Sequence, residues 1–190
     1  MLVSGATGAV GSIASQLGKI AGAKVFGIAG GKAKCDYAMN VMGLDGCIDY
    51  KSENINDAIK RLCPNGVDCY FDNVGGNTLE AVIDNMNCFG RIAFCGAISS
   101  YVGGMGEKGK GPRNFEMILM RRLTVQGFIC VDHLASVGEA FNEIGEGLKS
   151  GKIKFKEDIK DADITDYVKI INLLYSSGND GKLIIKLPKA

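Results

Sequence analysis

Histidine is nearly absent from this chain: His133 is the single imidazole in 190 residues, set between Asp132 and Leu134 after an apolar run. One such side chain excludes a histidine-rich metal site, and no triad signature surrounds it, so His133 is expected to be structural or at the surface. Long apolar runs are missing too. Nothing approaches the roughly 18 to 20 residues a membrane span needs, and no charged segment followed by an apolar one opens the chain. Net charge is all but absent, since 22 basic and 21 acidic residues leave +1. No long-range field therefore draws the chain to nucleic acid or to an anionic membrane. Paired cysteines are missing as well. Cys35, Cys47, Cys63, Cys69, Cys88, Cys95 and Cys130 are scattered singly with no CxxC. An odd set of single thiols fits a reducing, cytoplasmic setting in which they serve as small buried apolar residues. Internal repeats, low-complexity tracts and heptads are also lacking.

What is there is an alternation of short apolar runs with helical patterns, and 46% apolar content is enough to fill a core. Met1–Ser4 reads as a strand, followed by a helix over residues 9–21 with apolar spacing at Val10, Ile13, Leu17 and Ile20. The pattern continues as strand 24–29, helix 33–42, strand 46–48, helix 55–62, strand 67–71, helix 77–85 and strand 90–95. A helical piece over 115–121 precedes strand 124–129, and a helix over 134–148 follows. Strands alternating with helices predict an α/β fold, a Rossmann-type doubly wound parallel sheet. Residues 102–113, VGGMGEKGKGPR, carry five glycines and a proline and predict a surface loop. The tail from Lys152 reads strand, helix, strand, outside that sheet. Because Met1 already lies inside a predicted strand, a further domain upstream is expected.

The first functional signal is the turn Gly5-Ala-Thr-Gly8-Ala-Val-Gly11, which departs from GxGxxG but keeps glycines at the strand-to-helix turn. One glycine lets backbone approach a pyrophosphate, another lets helix pack on strand, and the helix N-terminus supplies free N–H groups and a positive dipole. The bland alternative is a merely structural turn. The second signal is another absence. An NAD-specific domain ends its second strand with Asp or Glu roughly 20 residues past the glycines, to accept the ribose 2′-OH. Here that strand runs into Gly30-Gly31-Lys32-Ala-Lys34. Two ammonium groups stand where a carboxylate would, favouring the 2′-phosphate of NADPH. Lysines merely solvating a helix start are the weaker reading, because cations there oppose the dipole.

Five segments carry a resemblance: Gly8-Ala-Val-Gly11, Tyr70-Phe-Asp-Asn73-Val-Gly-Gly76, Phe89-Gly-Arg-Ile, Cys95-Gly-Ala-Ile-Ser-Ser-Tyr101 and Gly127-Phe-Ile. Together they resemble the zinc-independent medium-chain dehydrogenases/reductases, in particular the prostaglandin reductase, leukotriene B4 12-hydroxydehydrogenase and alkenal double-bond reductase group. The resemblance runs from residue 2 to the C-terminus. It implies that Gly8, Ala9, Val10 and Gly11 line the pyrophosphate and that Lys34 and Tyr50 hold the 2′-phosphate. It implies further that Asn73 lies beside the cofactor and that Cys95, Gly96, Ala97, Ile98, Ser99 and Tyr101 run along the nicotinamide ribose. Phe128, Ile129 and Cys130 would meet the nicotinamide, and Asn179 would make a late contact.

Each has a plainer reading: Tyr50 and Asn73 as turn residues, Phe128 and Ile129 as core, Tyr101 as a packed loop aromatic. As the catalytic candidate, Tyr101 would offer its phenol to the ribose or to a developing enolate oxygen. Val102 after Tyr101, and Cys130-Val131 after Ile129, depart from the group's pattern and leave the substrate side open. The implied activity is NADPH-dependent reduction of the C=C bond of α,β-unsaturated ketones or aldehydes, 15-oxoprostaglandin 13-reductase-like and without metal. The alternatives are a quinone oxidoreductase and a non-catalytic NADPH-binding or dimerising module. Residues 1–150 are expected to form the NADP-binding domain and 151–190 part of a largely absent GroES-like substrate domain. The edge position expected for strand 124–129 suggests a homodimer.

Overall fold

A computed structural model describes residues 1–101 and 111–188. Six parallel strands form the main sheet: β1 (Leu2–Ser4), β2 (Phe26–Ala29), β3 (Gly46–Asp49), β4 (Val67–Asp72), β5 (Met86–Phe94) and β6 (Thr124–Gly127). Their order is β3-β2-β1-β4-β5-β6, so the topology reverses between β1 and β4. Helices α1 (Ala9–Ile20), α2 (Lys32–Asn40), α3 (Ile55–Leu62), α4 (Gly76–Ile83) and α5 (Glu116–Met120) connect them. The crossovers bury both faces of the central strand, and alternate residues feed opposite cores. Leu2 joins Ile28, Ile48, Ile59, Tyr70, Val82, Met86 and Ile92 in one cluster. Val3 joins Val25, Ala38, Met42 and Leu44 in the other.

Helix α6 (Val137–Lys149) follows a 3-10 segment, Cys130–Ser136, which occupies the first residues of the helix expected from 134. Beyond it, β7 (Glu157–Asp161), α7 (Tyr167–Tyr175) and β8 (Lys182–Lys186) build a separate two-stranded parallel sheet. The tail therefore stays out of the main sheet, as its pattern predicted. The buried Gln16 carboxamide fastens it to α1: Lys154 N–H donates to Gln16 Oε1 at 2.7 Å, and Gln16 Nε2 donates to Lys154 O at 2.8 Å. The glycine-rich stretch from Val102 to Lys110 lies outside the described residues.

Three expectations need correction. The apolar stripe of α1 is not its packing face, because Val10 and Ile20 are about half exposed while Gly11, Ser12, Ser15 and Gln16 are buried. Close approach to the sheet selects the side with the smallest side chains, and size overrides polarity. Strand β5 starts at Met86 rather than 90, because Met86 pairs with Val67 ahead of a register shift, with Phe89 at φ 63 within the strand. The cysteines are not uniformly buried: Cys69, Cys88 and Cys130 are exposed. Cys69 lies near the start of β4, one residue ahead of the first pair with β1, Leu2 opposite Tyr70.

Cys35 is buried between α2 and the sheet, and burial pushes its thiol and that of Cys47 up from the ordinary value. Iodoacetamide at neutral pH is expected to modify Cys69, Cys88 and Cys130 first, read by peptide mass spectrometry. Equally early labelling of Cys35 would contradict the packing of α2 on β3. His133 is exposed, as expected.

Candidate functional site

Because every strand of the main sheet is parallel, all six C-terminal ends open on one edge, and the order reversal leaves a crevice between β1 and β4 there. The expected residues are distributed along that edge. Gly8 to Gly11 follow β1, Lys34 lies on α2 after β2, Tyr50 follows β3 and Asn73 follows β4. Cys95 to Tyr101 follow β5, and Phe128 to Cys130 follow β6. Asn179 is the exception, in the turn between α7 and β8.

The turn after β1 is a cradle without side chains. Gly8 N–H donates to Gly5 O and Ser12 N–H to Gly8 O, each at 2.9 Å. The N–H groups of Ala9, Val10 and Gly11 are left without acceptors inside the helix, and no side-chain cap or first-turn carboxylate neutralises them. A Cβ on Gly11 would lie 2.2 Å from Gly5 O, so α1 can descend onto the turn only with glycine there. The arrangement has the shape and polarity of a pyrophosphate site.

Between β1 and β4 the organiser is a residue that the sequence reading passed over. Asp72 is fully buried, and its Oδ1 accepts from Tyr70 Oη at 2.7 Å, Ser4 Oγ at 3.0 Å, Val74 N at 2.9 Å and Gly75 N at 3.0 Å. Its Oδ2 is buried without a partner among the described residues. Ser4 Oγ in turn accepts from Asn73 N at 3.0 Å, and Asn73 Nδ2 donates to Ser4 O at 2.7 Å. One carboxylate thus locks the ends of β1 and β4 and holds the Asn73 carboxamide across the crevice. Burial, followed by the nearby Asp72 charge, pushes the Tyr70 phenol well above its ordinary value, so Tyr70 serves as a permanent donor. The clue in the sequence was a carboxylate directly after the apolar pair Tyr70-Phe71 at the C-terminal end of the strand. Asp72→Ala strands four donors, three of them in buried contacts, at a cost of about 1–3 kcal/mol for a buried group left unpaired. Its melting temperature is expected to fall sharply, and Asp72→Asn, which keeps one acceptor oxygen, is expected to lose clearly less. Equal melting curves for Asp72→Ala and the parent chain would contradict the organising role.

The segment after β5 is tied to the same turn. Cys95 and Gly96 N–H donate to Asp72 O at 2.9 and 3.0 Å, Ile98 N–H to Asn73 O at 3.2 Å, and Ser99 Oγ to Val74 O at 2.6 Å. The two strings of the resemblance, 70–76 and 95–101, are therefore hydrogen-bonded to one another. Tyr101 folds back over its own turn, where Ala97 N–H donates to the phenol oxygen at 3.0 Å. Among the described residues its O–H proton meets no acceptor. Past β6, Phe128 packs edge-on against Phe71 at 6.0 Å between ring centroids, while Ile129 and Cys130 are exposed.

At the far end, Lys34 and Tyr50 come together and Lys32 does not. Lys32 is exposed and paired with Asp36 at 2.6 Å, an ordinary solvated helix position. Lys34 is half-buried, with Nζ donating to Ser177 O at 3.0 Å. The Tyr50 ring lies against Gly30, and its hydroxyl is 2.6 Å from Ser177 Oγ. Burial lowers the Lys34 pKa from its ordinary value, partly offset by Asp180 and reinforced by Lys51. No carboxylate ends β2, since the strand closes Ile28-Ala29 and runs into Gly30. Asn179 Nδ2 donates locally to Gly181 O at 2.8 Å, two residues past Ser177.

Set beside known proteins, residues 9–146 match the family described as zinc-binding dehydrogenase. The chain is 35% identical over 192 residues to the NADPH-dependent curcumin reductase of Escherichia coli strain K12, covering 98% of this chain and 55% of that protein. It is 40% identical over 159 residues to prostaglandin reductase 1 of Oryctolagus cuniculus, covering 83% of this chain and 45% of the relative. Among solved structures it superposes on CurA from Vibrio vulnificus in complex with NADPH with a TM-score of 0.90 and 34% identity, over all of this chain and 57% of that one. The chain spans about half the length of these relatives. Among the described residues no three His, Cys, Asp or Glu side chains gather to hold a metal ion, so the zinc of the family's description finds no fitting donor set there. The doubly wound sheet, the side-chain-free cradle after β1 and the match over residues 9–146 agree, and the chain belongs to the zinc-binding dehydrogenase family.

Proposed function

We propose that this chain binds NADPH along the C-terminal edge of its sheet and forms the cofactor half of a reductase acting on the C=C bond of α,β-unsaturated ketones and aldehydes. The observation that carries the reading is the meeting of Lys34 and Tyr50 at Ser177 beyond β2, at an edge where that strand ends without a carboxylate. The N–H groups of Ala9, Val10 and Gly11 hold the pyrophosphate, and Lys34 and Tyr50 hold the 2′-phosphate. Asn73, Asn179 and the segment from Cys95 through Gly96, Ala97, Ile98 and Ser99 to Tyr101 orient the ribose and the nicotinamide. Phe128, Ile129 and Cys130 back the ring. Bound there, the reduced nicotinamide supplies a hydride to the β-carbon of the enone. Tyr101 donates its hydroxyl proton in a hydrogen bond to the oxygen on which negative charge develops, and protonation of the α-carbon by water completes the reduction.

Residues 1–150 act in this reading as the coenzyme domain, and 151–190 contribute to a substrate domain of the GroES-like kind. Positioning of the enone and exclusion of water require that domain, and positioning alone is worth several kcal/mol of barrier. NADPH oxidation followed with an enone and with a quinone, for this chain alone and for the chain joined to such an amino-terminal domain, tests the reading. Enone turnover by the joined protein supports it, and turnover of quinone alone transfers the site to quinone reduction. Tight NADPH binding without turnover in either form would leave a binding module.

The chain is read as metal-independent, in keeping with its single histidine, and as cytoplasmic, in keeping with seven free thiols. No helix among the described residues is long and apolar enough to cross a membrane. Among the described residues strand β6 pairs only with β5 and is exposed throughout, which supports homodimerisation through that edge. Sedimentation of the parent chain and of Val125→Lys tests this: a parent monomeric at micromolar concentration would refute it.

A further inference from the structure

The residue that joins Lys34 to Tyr50 belongs to neither helix α2 nor strand β3. Ser177 comes from the tail, more than a hundred residues away in sequence, and it touches both side chains at once: its carbonyl accepts from Lys34 Nζ at 3.0 Å and its hydroxyl lies 2.6 Å from Tyr50 Oη. Its backbone is unusual. Ser177 has φ 56, the left-handed region, directly after the C-terminal end of α7. The Gly178 N–H donates to Leu173 O at 2.8 Å, closing the helix in the manner of a Schellman motif. In that motif the left-handed position usually belongs to glycine, which has no Cβ to clash. Here the glycine stands one residue later and a serine takes the strained place. Strain of this kind persists where the surroundings over-determine it, and it gathers at ligand clamps.

We propose that Ser177 is a third ligand of the coenzyme's 2′-phosphate, so that the tail takes part in choosing NADPH over NADH. The inference rests on the coenzyme reading above. Counting donors gives its physical content. Of the three ammonium hydrogens on Lys34, one is engaged by the Ser177 carbonyl, leaving two. The Tyr50 and Ser177 hydroxyls carry one hydrogen each, spend one on each other in the free chain, and can turn both to a phosphoryl group. Four donors are thus at hand with the serine and three without it, and the carbonyl of Ser177 fixes the direction of the ammonium. Other charges nearby largely compensate one another. Lys156 is paired with Asp180 at 2.5 Å and Lys160 with Asp158 at 2.7 Å, while Lys51 lies near the Asp49 carboxylate, so Lys34 is the cation that this site directs at a ligand.

Dissociation constants for NADPH, NADH and adenosine 2′,5′-bisphosphate, measured by calorimetry on the parent chain, Ser177→Ala, Ser177→Gly and Lys34→Glu, test the proposal. Losing one hydrogen bond to a charged group is expected to weaken NADPH and the bisphosphate roughly tenfold in both serine variants, with NADH unchanged. The melting temperatures are expected to diverge, since glycine relieves the left-handed strain and alanine keeps it. An affinity loss common to both variants then follows the missing hydroxyl and not the fold. NADPH affinity within about twofold of the parent in both variants, or equal losses for NADPH and NADH, would overturn the role of Ser177 while leaving Lys34→Glu to support the coenzyme reading. A parent chain that binds neither NADPH nor the bisphosphate would overturn both.

Discussion

Lys34→Glu is expected to raise the NADPH dissociation constant by about 100-fold or more while changing that for NADH by no more than a few-fold. The 2′-phosphate is the only group that distinguishes the two coenzymes, and Lys34 is the ammonium that the fold carries to Tyr50. A hydrogen bond to a charged group contributes about 1.5–3 kcal/mol, and a carboxylate in its place adds repulsion, so 100-fold, about 2.7 kcal/mol, is a modest expectation. Lys32→Glu serves as the control. Its side chain is 85% exposed and paired with Asp36, so it is expected to shift NADPH affinity only slightly.

The pH dependence has a definite sign. Burial depresses the Lys34 pKa in the free chain, whereas a bound phosphate favours the ammonium and raises it. NADPH affinity is therefore full below the free-chain value and lost as the pH rises through it, earlier than an ordinary lysine would require. NADH affinity is expected to stay flat over the same interval. Equal losses for both coenzymes, in the variant or on raising the pH, would remove Lys34 from the phosphate site.

Gly11→Ala is expected to destabilise the chain by about 3 kcal/mol, roughly 6–12 °C in melting temperature, and to abolish coenzyme binding. The added carbon would lie 2.2 Å from Gly5 O and 2.8 Å from Gly5 C, and both of those atoms are backbone that no rotamer change can move. Relief requires α1 to lift from the sheet, which carries the N–H groups of Ala9 and Val10 out of the cradle. The same substitution at Gly145, inside α6 with open space around it, is expected to have the opposite sign and to stabilise by about 0.5–1 kcal/mol. Scanning calorimetry of both variants gives the comparison. A Gly11→Ala chain as stable as the parent would mean that α1 does not sit down on the turn after β1.

How far the sequence could be read is clearest from these residues. Alternating apolar periods give strand, helix and strand in order, and local periodicity needs no partner to be seen; α3 over Ile55–Leu62 comes out with its bounds unchanged. The glycines at 5, 8 and 11 announce the cradle because a turn of that kind leaves few residue types possible. Tyr50 and Asn73 were named only through the family resemblance, and Lys34 through its charge as well; each follows a strand, where ligands meet α/β sheets. Asp72 was hidden inside a matching string, since its importance lies in the four donors that β1, β4 and the turn before α4 bring to it.

By itself, then, the amino-acid order determined which segments become strands and helices, that they form a doubly wound sheet, and which turn is bare enough for a pyrophosphate. It could not determine which face of α1 packs, because closeness of approach and not hydrophobicity selects Gly11, Ser12 and Ser15 over Val10 and Ile20. Nor could it bring Ser177 to Lys34 and Tyr50, or Gln16 to Lys154. Those meetings join positions 127 to 143 residues apart, and contacts at that separation are decided by how the tail folds back over the sheet, which no local period encodes.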